Sequence, residues 1–260
     1  DCDVDAANLY LVTKHRIERT TPFRGGRIAV IDSSACSGCG RCGELCRFDA
    51  ISNIDNGFRV DKFACEGCGV CAYFCPESAI SMHEEDGGDW FLSRTRSGPM
   101  VHARLAPGGE NSGKLVTIVR NEAKAAAERG GYGTVIVDGA PGIGCPVIAS
   151  ITGADAALVV TEPTLSGLHD MKRIPELAGY FGVKVTVAVN RYDVNREISG
   201  QIAGYAEEHG IAVAGMVRYD PDVTRAQING MSVVEYSDGG AAGDIRNIRD
   251  AVVDYFGLEA

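Results

Sequence analysis

Apolar residues in this chain gather into short, β-branched runs separated by stretches with helical spacing. Thr134-Val135-Ile136-Val137 is one such run, and residues 156–161, 183–189 and 211–217 are others. An unbroken apolar run of this length reads as a strand buried on both faces, the mark of a parallel sheet. Helical patterns alternate with these runs, at residues 121–129 (alanine-rich), 166–181 and 244–256. The alternation predicts an α/β domain whose parallel sheet is covered by helices on both faces. Pro175 is expected to kink the second helix. The third is amphipathic with mixed charge, which suits core packing better than a membrane surface. Further upstream, Trp90-Phe91-Leu92 and residues 100–105 flank Ser97-Gly98-Pro99, the pattern of a β-hairpin. Leu115-Val116-Thr117-Ile118-Val119 reads as a further strand, and Gly25-Gly26 as a hinge before the strand-like residues 27–31.

A different pattern interrupts this alternation. Cys36, Cys39, Cys42 and Cys46 follow one spacing, and Cys65, Cys68, Cys71 and Cys75 repeat it, so that eight of the ten cysteines belong to two copies of one motif. A shift of 29 residues superposes Ile31-Asp32 on Val60-Asp61 and Ala50-Ile51-Ser52 on Ala79-Ile80-Ser81, so the repeat extends into flanking strands. Each unit is predicted as strand, loop, short helix, strand. A cube-shaped [4Fe–4S] cluster needs thiolates from several directions, and cysteines at every third residue wrap three of its corners. In two-cluster ferredoxins the fourth cysteine of each run crosses to the other cluster. That assigns Cys36, Cys39, Cys42 and Cys75 to one cluster and Cys65, Cys68, Cys71 and Cys46 to the other. Gly38, Gly40, Gly67 and Gly69 supply the tight turns and close amides such loops require. Zinc sites leave the third CxxC step unexplained, and disulfides call for an oxidising compartment, with no signal peptide visible. Arg47 stands where Pro76 stands in the second copy, and a cation there is expected to raise the potential of the cluster that takes Cys46.

Composition narrows the partners. A net charge of −10 over 260 residues, with pI about 5.0, argues against nucleic acid or anionic membrane as an electrostatic partner. No apolar run reaches transmembrane length. Cluster-forming cysteines point to a reducing cytoplasm. The cysteine-rich unit accounts for residues 23–85, leaving 1–22 and 86–260 as a discontinuous second domain into which it is inserted.

Three further motifs carry chemistry. The segment from Gly108 to Leu115 matches GxxxxGK, but Leu115 stands where a phosphate loop needs Ser or Thr, and a strand is predicted after the loop instead of a helix. It is therefore read as a decoy, although Lys114 could still reach a ligand. The apolar run 134–137 ends in Asp138-Gly139-Ala140-Pro141-Gly142, which places a carboxylate at the carboxyl edge of a strand before a Pro-Gly turn, a Walker B aspartate followed by a switch. Asn190-Arg191-Tyr192-Asp193 closes another strand, where nucleotide-binding sheets place base-recognition groups.

Together with Asp1-Cys2-Asp3, Asn8-Leu9 and residues 162–170, these motifs resemble the MinD/ParA-like P-loop ATPases, in the form that contains an inserted two-cluster ferredoxin domain. The resemblance spans essentially the whole chain. It implies Asp1 near Mg²⁺, Asp3 positioning the attacking water, Asp138 holding Mg²⁺ through water, and Pro141-Gly142 sensing a γ-phosphate. It implies Asn190 on adenine, with Pro221 bordering the same pocket and Asn8 in the nucleotide-site motif. It also implies a nucleotide-dependent homodimer, and a redox partner protein for the clusters. The family's lysine-bearing loop would lie before Asp1, so the chain is read as an N-terminally truncated ATPase sequence in which ATP hydrolysis should fail. The expected function is iron–sulfur electron transfer coupled to a nucleotide-binding domain, with a ferredoxin module or cluster carrier on an inert scaffold as the alternative. Cys145, seven residues after Asp138, is placed like a cluster-ligating cysteine of the nitrogenase iron protein, though a buried packing thiol is the preferred reading.

Overall fold

Long antiparallel strands build the first half of the chain in the computed structural model, which describes residues 1–55, 57–107 and 111–258. After α1 (Tyr10–Thr13), strand β1 (Arg16–Ile31) runs out to the cysteine-rich unit, which contains α2 (Arg41–Leu45), β2 (Ile51–Ile54), β3 (Gly57–Val60) and α3 (Val70–Tyr73). Strand β4 (Ile80–Thr95) runs back, and β5 (Gly98–Leu105) folds against it to complete the predicted hairpin. The sheet order is β1-β4-β5, with β2 and β3 as a separate pair. The insertion is thus carried on a two-strand ribbon. Gly25-Gly26 is not a loop hinge: it lies inside β1, where the register with β4 shifts between Phe23 and Arg24 and again between Arg24 and Gly26. Bulges of this kind bend a strand without breaking it.

Helix α4 (Ser112–Gly130) follows β5 and overturns the strand expected at residues 115–119. A five-residue apolar run does not by itself distinguish a strand from a buried helical turn, and the alanine-rich continuation extends it as helix. Leu115, Val116 and Val119 are buried against Phe23, Trp90, Val101 and Ala103 of the antiparallel sheet and against Cys2 and Val4. Each such side chain contributes about 1.5–3 kcal/mol by leaving water.

Helix α5 (Cys145–Ile151) leads into the second half, where β6 (Ala156–Thr161), α6 (Leu165–Tyr180), β7 (Lys184–Asn190), α7 (Arg196–Glu208) and β8 (Ala212–Val217) alternate. The three strands are parallel in the order β6-β7-β8, and α6 continues through Pro175. Met171, Ile202 and Ala206 pack on one face of this sheet. Helices α8 (Pro221–Ile228), α9 (Val233–Tyr236) and α10 (Gly240–Phe256) end the chain, with Ala241 and Ile248 of α10 covering Ala188 and Val217 on the other face. Coverage of both faces explains why these strands read as continuous apolar runs.

The run 134–137 departs from expectation, because it joins no hydrogen-bonded ladder. Among the described residues no strand pairs with it or with the outer edge of β6. Val137 reaches the core beside α4, yet Ile136 is 89% exposed. A strand exists only through its neighbours' amides and carbonyls, and apolar content alone does not supply them.

Candidate functional site

The two halves of the repeat open their loops in the same way. Asp32 Oδ1 accepts the Ser34 amide at 2.9 Å, and Asp61 Oδ1 accepts the Phe63 amide at 2.9 Å. Each aspartate's own amide donates across to the other half, Asp32 to the Ala79 carbonyl at 2.8 Å and Asp61 to the Ala50 carbonyl at 2.7 Å. These bonds tie the start of each loop to the segment after the opposite short helix, which is why the two runs interlock. The repeat register had aligned Asp32 with Asp61, but their role as loop openers is visible only in the structure.

Two cavities of equal volume, about 20 Å³ each, result. Cys36, Cys39, Cys42 and Cys75 line one; Cys46, Cys65, Cys68 and Cys71 line the other. Phe58 and Arg41 close the first, whereas Phe48, Leu45 and Met82 give the second a more apolar wall. The Ala79 amide donates to Cys75 Sγ at 3.3 Å. Burial pushes the Cys42 and Cys71 thiols up, partly offset by the neighbouring Gly43 and Ala72 amides. Among the described residues no three His, Cys, Asp or Glu side chains converge on a single-ion centre. Cysteines that ring a space, instead of meeting at a point, fit a polynuclear cluster better than a lone tetrahedral ion. The donor set therefore suits two [4Fe–4S] clusters.

The second locus is acidic. Asp1 is buried at 8% exposure and organises the first turn, its carboxylate accepting the Asp3 amide at 3.1 Å and the Leu9 amide at 3.2 Å. Asn8 lies in that turn, its carbonyl accepting the Leu11 amide at 2.9 Å. Residues 1–4 lie between β5 and Asp138: the Cys2 amide donates to the Asp138 carbonyl at 2.7 Å, and the Leu105 amide to the Val4 carbonyl at 3.0 Å. Partial burial, with the Asp3 carboxylate close by, pushes the Asp138 carboxyl above its ordinary range. The structure therefore brings Asp1, Asp3 and Asp138 together. Pro141 and Gly142, the latter at φ 84°, follow in the loop that leads to α5.

Asn190 and Pro221 belong to a third place, the carboxyl edge of the parallel sheet. Asn190 ends β7 opposite Val217, and Arg191 pairs with Glu162, beyond β6, at 3.4 Å. Asp193 Oδ1 accepts the Tyr219 amide at 2.8 Å, and Asp220 caps α8, in which Pro221 is the first residue. In open α/β sheets this edge is where ligands bind.

Two sequence expectations need correction here. Cys145 is exposed and is no buried packing thiol. Strand β5 precedes this motif and Lys114 lies in helix α4, so the objection from reversed context falls, but Gly108, Gly109 and Glu110 lie outside the described residues. Leu115 is fully buried in the apolar core, so that position offers no hydroxyl to a metal ion.

Comparison with known proteins agrees with both halves of this description. Residues 29–82 match the family model of the 4Fe-4S dicluster domain. The uncharacterized protein MJ0578 of Methanocaldococcus jannaschii is 35% identical over 196 residues, which covers 75% of this chain and 67% of that protein. Among solved structures, the cell division ATPase MinD of Pyrococcus furiosus superposes with a TM-score of 0.50 at 15% identity, over 98% of this chain and 84% of that one. The septum site-determining protein MinD of Pyrococcus horikoshii, solved as a complex with Mg-ADP, gives 0.50 at 16% identity, over 100% and 84%. The likeness to the MinD structures is one of fold.

Proposed function

We propose that this chain, which belongs to the same family as MJ0578 and has the MinD/ParA-type fold with an inserted 4Fe-4S dicluster domain, transfers electrons through two [4Fe–4S] clusters coupled to nucleotide binding. The observation that carries this reading is the division of eight cysteines into two complete sets of four, each with its fourth member from the other run. Bound there, each cluster would supply a site that gains and loses one electron. The protein's residues do the rest. Cys36, Cys39, Cys42 and Cys75 hold one cluster, and Cys46, Cys65, Cys68 and Cys71 the other. The Ala79 amide, pointed at Cys75 Sγ, stabilises negative charge on that sulfur and so favours the reduced state. The aromatic and aliphatic walls limit water, which also sets the potential.

For the nucleotide half, Asp138 and Asp3 form a like-charged pair whose repulsion a divalent cation would relieve, which is the arrangement Mg–nucleotide binding needs. Asp1 orients Asp3 through its amide. Gly142, in the loop after Asp138, would respond to a terminal phosphate, and Asn190 and Pro221, at the carboxyl edge of the parallel sheet, would contact the base. A nucleotide-dependent homodimer, a redox partner protein and a reducing cytoplasmic setting complete the proposal; no helix is long and apolar enough to cross a membrane among the described residues.

The alternative is a ferredoxin module or cluster carrier on an inert scaffold. Complete four-cysteine sets favour electron transfer, since a cluster made for delivery is held by fewer protein ligands. The test is anaerobic: iron and sulfide per chain, reduction followed by electron paramagnetic resonance, and ATP turnover measured on the same preparation. Two reducible clusters whose midpoints shift with Mg-ATP support the coupled mechanism. Two clusters whose midpoints are indifferent to Mg-ATP leave the ferredoxin reading.

A further inference from the structure

Gly38 and Gly67 hold equivalent places in the two repeats, each inside the first CxxC step and each with positive φ, 71° and 61°. Their surroundings differ. A Cβ at Gly38 would meet nothing within 4 Å, whereas one at Gly67 would overlap the Arg27 carbonyl oxygen and stand 3.2 Å from the Arg27 carbonyl carbon. The Cys65–Cys71 loop thus rests directly on the backbone of β1.

That stretch of β1 is held from outside. Two residues before Arg27, the Gly25 carbonyl accepts a hydrogen bond from Asn111 Nδ2 at 2.6 Å, within the bulged segment where the ladder to β4 slips. Asn111 is the N-cap of α4, at φ 65°. In the next turn, a Cβ on Gly113 would stand 3.0 Å from Cys145 Cβ. Cys145 opens α5, directly after the loop that begins at Asp138. Contacts therefore run without a gap from the Asp138 loop, through Cys145, Gly113, Asn111, Gly25 and Arg27, to the loop of Cys65. At Gly38, the matching point of the Cys36 loop, no described residue makes such a contact; residue 56, the repeat's counterpart of Arg27, lies outside the described residues.

We propose that Asn111 is a positioning residue that ties the Cys46/Cys65/Cys68/Cys71 centre to the Asp138 loop, so that a movement of that loop acts more strongly on this centre than on its twin, which β1 meets only at its far end, Ile31. The inference rests on reading the cavities as [4Fe–4S] sites and the Asp138 loop as nucleotide-sensing. Its physical basis is the sensitivity of cluster potential to the placement of the amides and dipoles around the sulfurs. At a bulge the ladder is locally disrupted, so a side-chain bond to the strand there has more say in its course than it would in a regular ladder.

Two variants test it in the full-length protein carrying its clusters. Asn111→Asp keeps size and tolerance of positive φ but sets an acceptor against the Gly25 carbonyl; Asn111→Gly keeps only the backbone. The paramagnetically shifted cysteine β-proton resonances, assigned residue by residue, report each cluster separately, and a redox titration gives each midpoint. Both variants should move the Cys65 set clearly more than the Cys36 set. The midpoint change expected is about threefold in the reduced-to-oxidised ratio at fixed poise, or about 28 mV for one electron. Mg-ATP should move the same set in the unaltered protein and lose that effect in Asn111→Asp. Equal movement of both sets, movement of the Cys36 set alone, or no movement overturns the proposal. If nucleotide moves neither set in the unaltered protein while Asn111→Asp still moves the Cys65 set, the nucleotide reading fails and the tie stands. If nucleotide moves the Cys65 set equally with and without the Asn111 amide, the tie fails and the nucleotide reading stands. Should both Asn111 variants unfold, Gly113→Ala perturbs the same route at Cys145, with the same expectation.

Discussion

Alanine at Gly67 and at Gly38 makes one chemical change in two places that share their local sequence pattern and positive φ. The backbone strain is common to both: a Cβ in the left-handed region costs about 1–2 kcal/mol. At Gly38 nothing else is added, because the space beyond is open. At Gly67 the new methyl overlaps the Arg27 carbonyl oxygen, and a backbone carbonyl in a paired strand cannot swing aside like a flexible side chain. Forcing an extra carbon into a filled site costs about 1–3 kcal/mol. The sums are about 1–2 kcal/mol for Gly38→Ala and about 2–5 kcal/mol for Gly67→Ala, a difference of about 1–3 kcal/mol, so the second loop should open about fivefold or more often than the first. The assay is iron release to a chelator from the anaerobically reconstituted protein, followed as the loss of visible absorbance. Gly38→Ala should speed the loss of one cluster modestly, while Gly67→Ala should lose one cluster much earlier and keep the other. Equal release from the two variants would refute the inference that the Arg27 carbonyl backs the second loop at Gly67.

Four further outcomes are expected. Arg47→Pro should lower the midpoint of the cluster held by Cys46 and narrow its difference from the twin, measured by redox titration; equal midpoints in the unaltered protein would remove the premise. Asp138→Asn should weaken Mg-ATP binding, measured by isothermal titration calorimetry, yet raise the melting temperature, because the carboxylate it replaces is disfavoured by burial and by Asp3. His102 is 5% exposed, stacked on Phe91 at 4.9 Å, and burial lowers its pKa to about 4. The unfolded chain takes up this proton first as pH falls below about 6.5, so up to about 3 kcal/mol of stability should be lost between pH 6.5 and 4, and His102→Gln should flatten that limb of a denaturation series. Glu235, whose carboxyl is held at about 2 by Ser232 and Arg96, adds a second loss below about pH 4.5 that this variant leaves in place. Cys145→Ala should leave the iron count at that of two clusters, since this exposed thiol has no cysteine cavity around it.

Why some of this was legible in the sequence and some was not follows from the range over which each feature is determined. The cysteine spacing is local chemistry, because a cluster needs its donors within a few residues whatever else the chain does. The parallel strands β6, β7 and β8 were legible because burial on both faces writes itself into every position of a strand. Residues 115–119 satisfied the same criterion and are helical, since five apolar residues fit a buried turn of α4 as well as a strand. Residues 134–137 satisfied it too, yet lack the ladder partner that would make them a strand. The pairing of Asp3 with Asp138 across 135 positions came from resemblance, not from any local pattern. Gly38 and Gly67 show the limit most clearly. The repeat makes them interchangeable in sequence, and among the described residues the course of β1 behind Gly67 sets them apart. An internal repeat predicts what its two halves share, the donor sets and the turns; what distinguishes one centre from the other comes from the domain into which the repeat is inserted. The functional asymmetry of the two centres should therefore be sought at Arg27, Gly25 and Asn111, outside the repeat's cysteine loops.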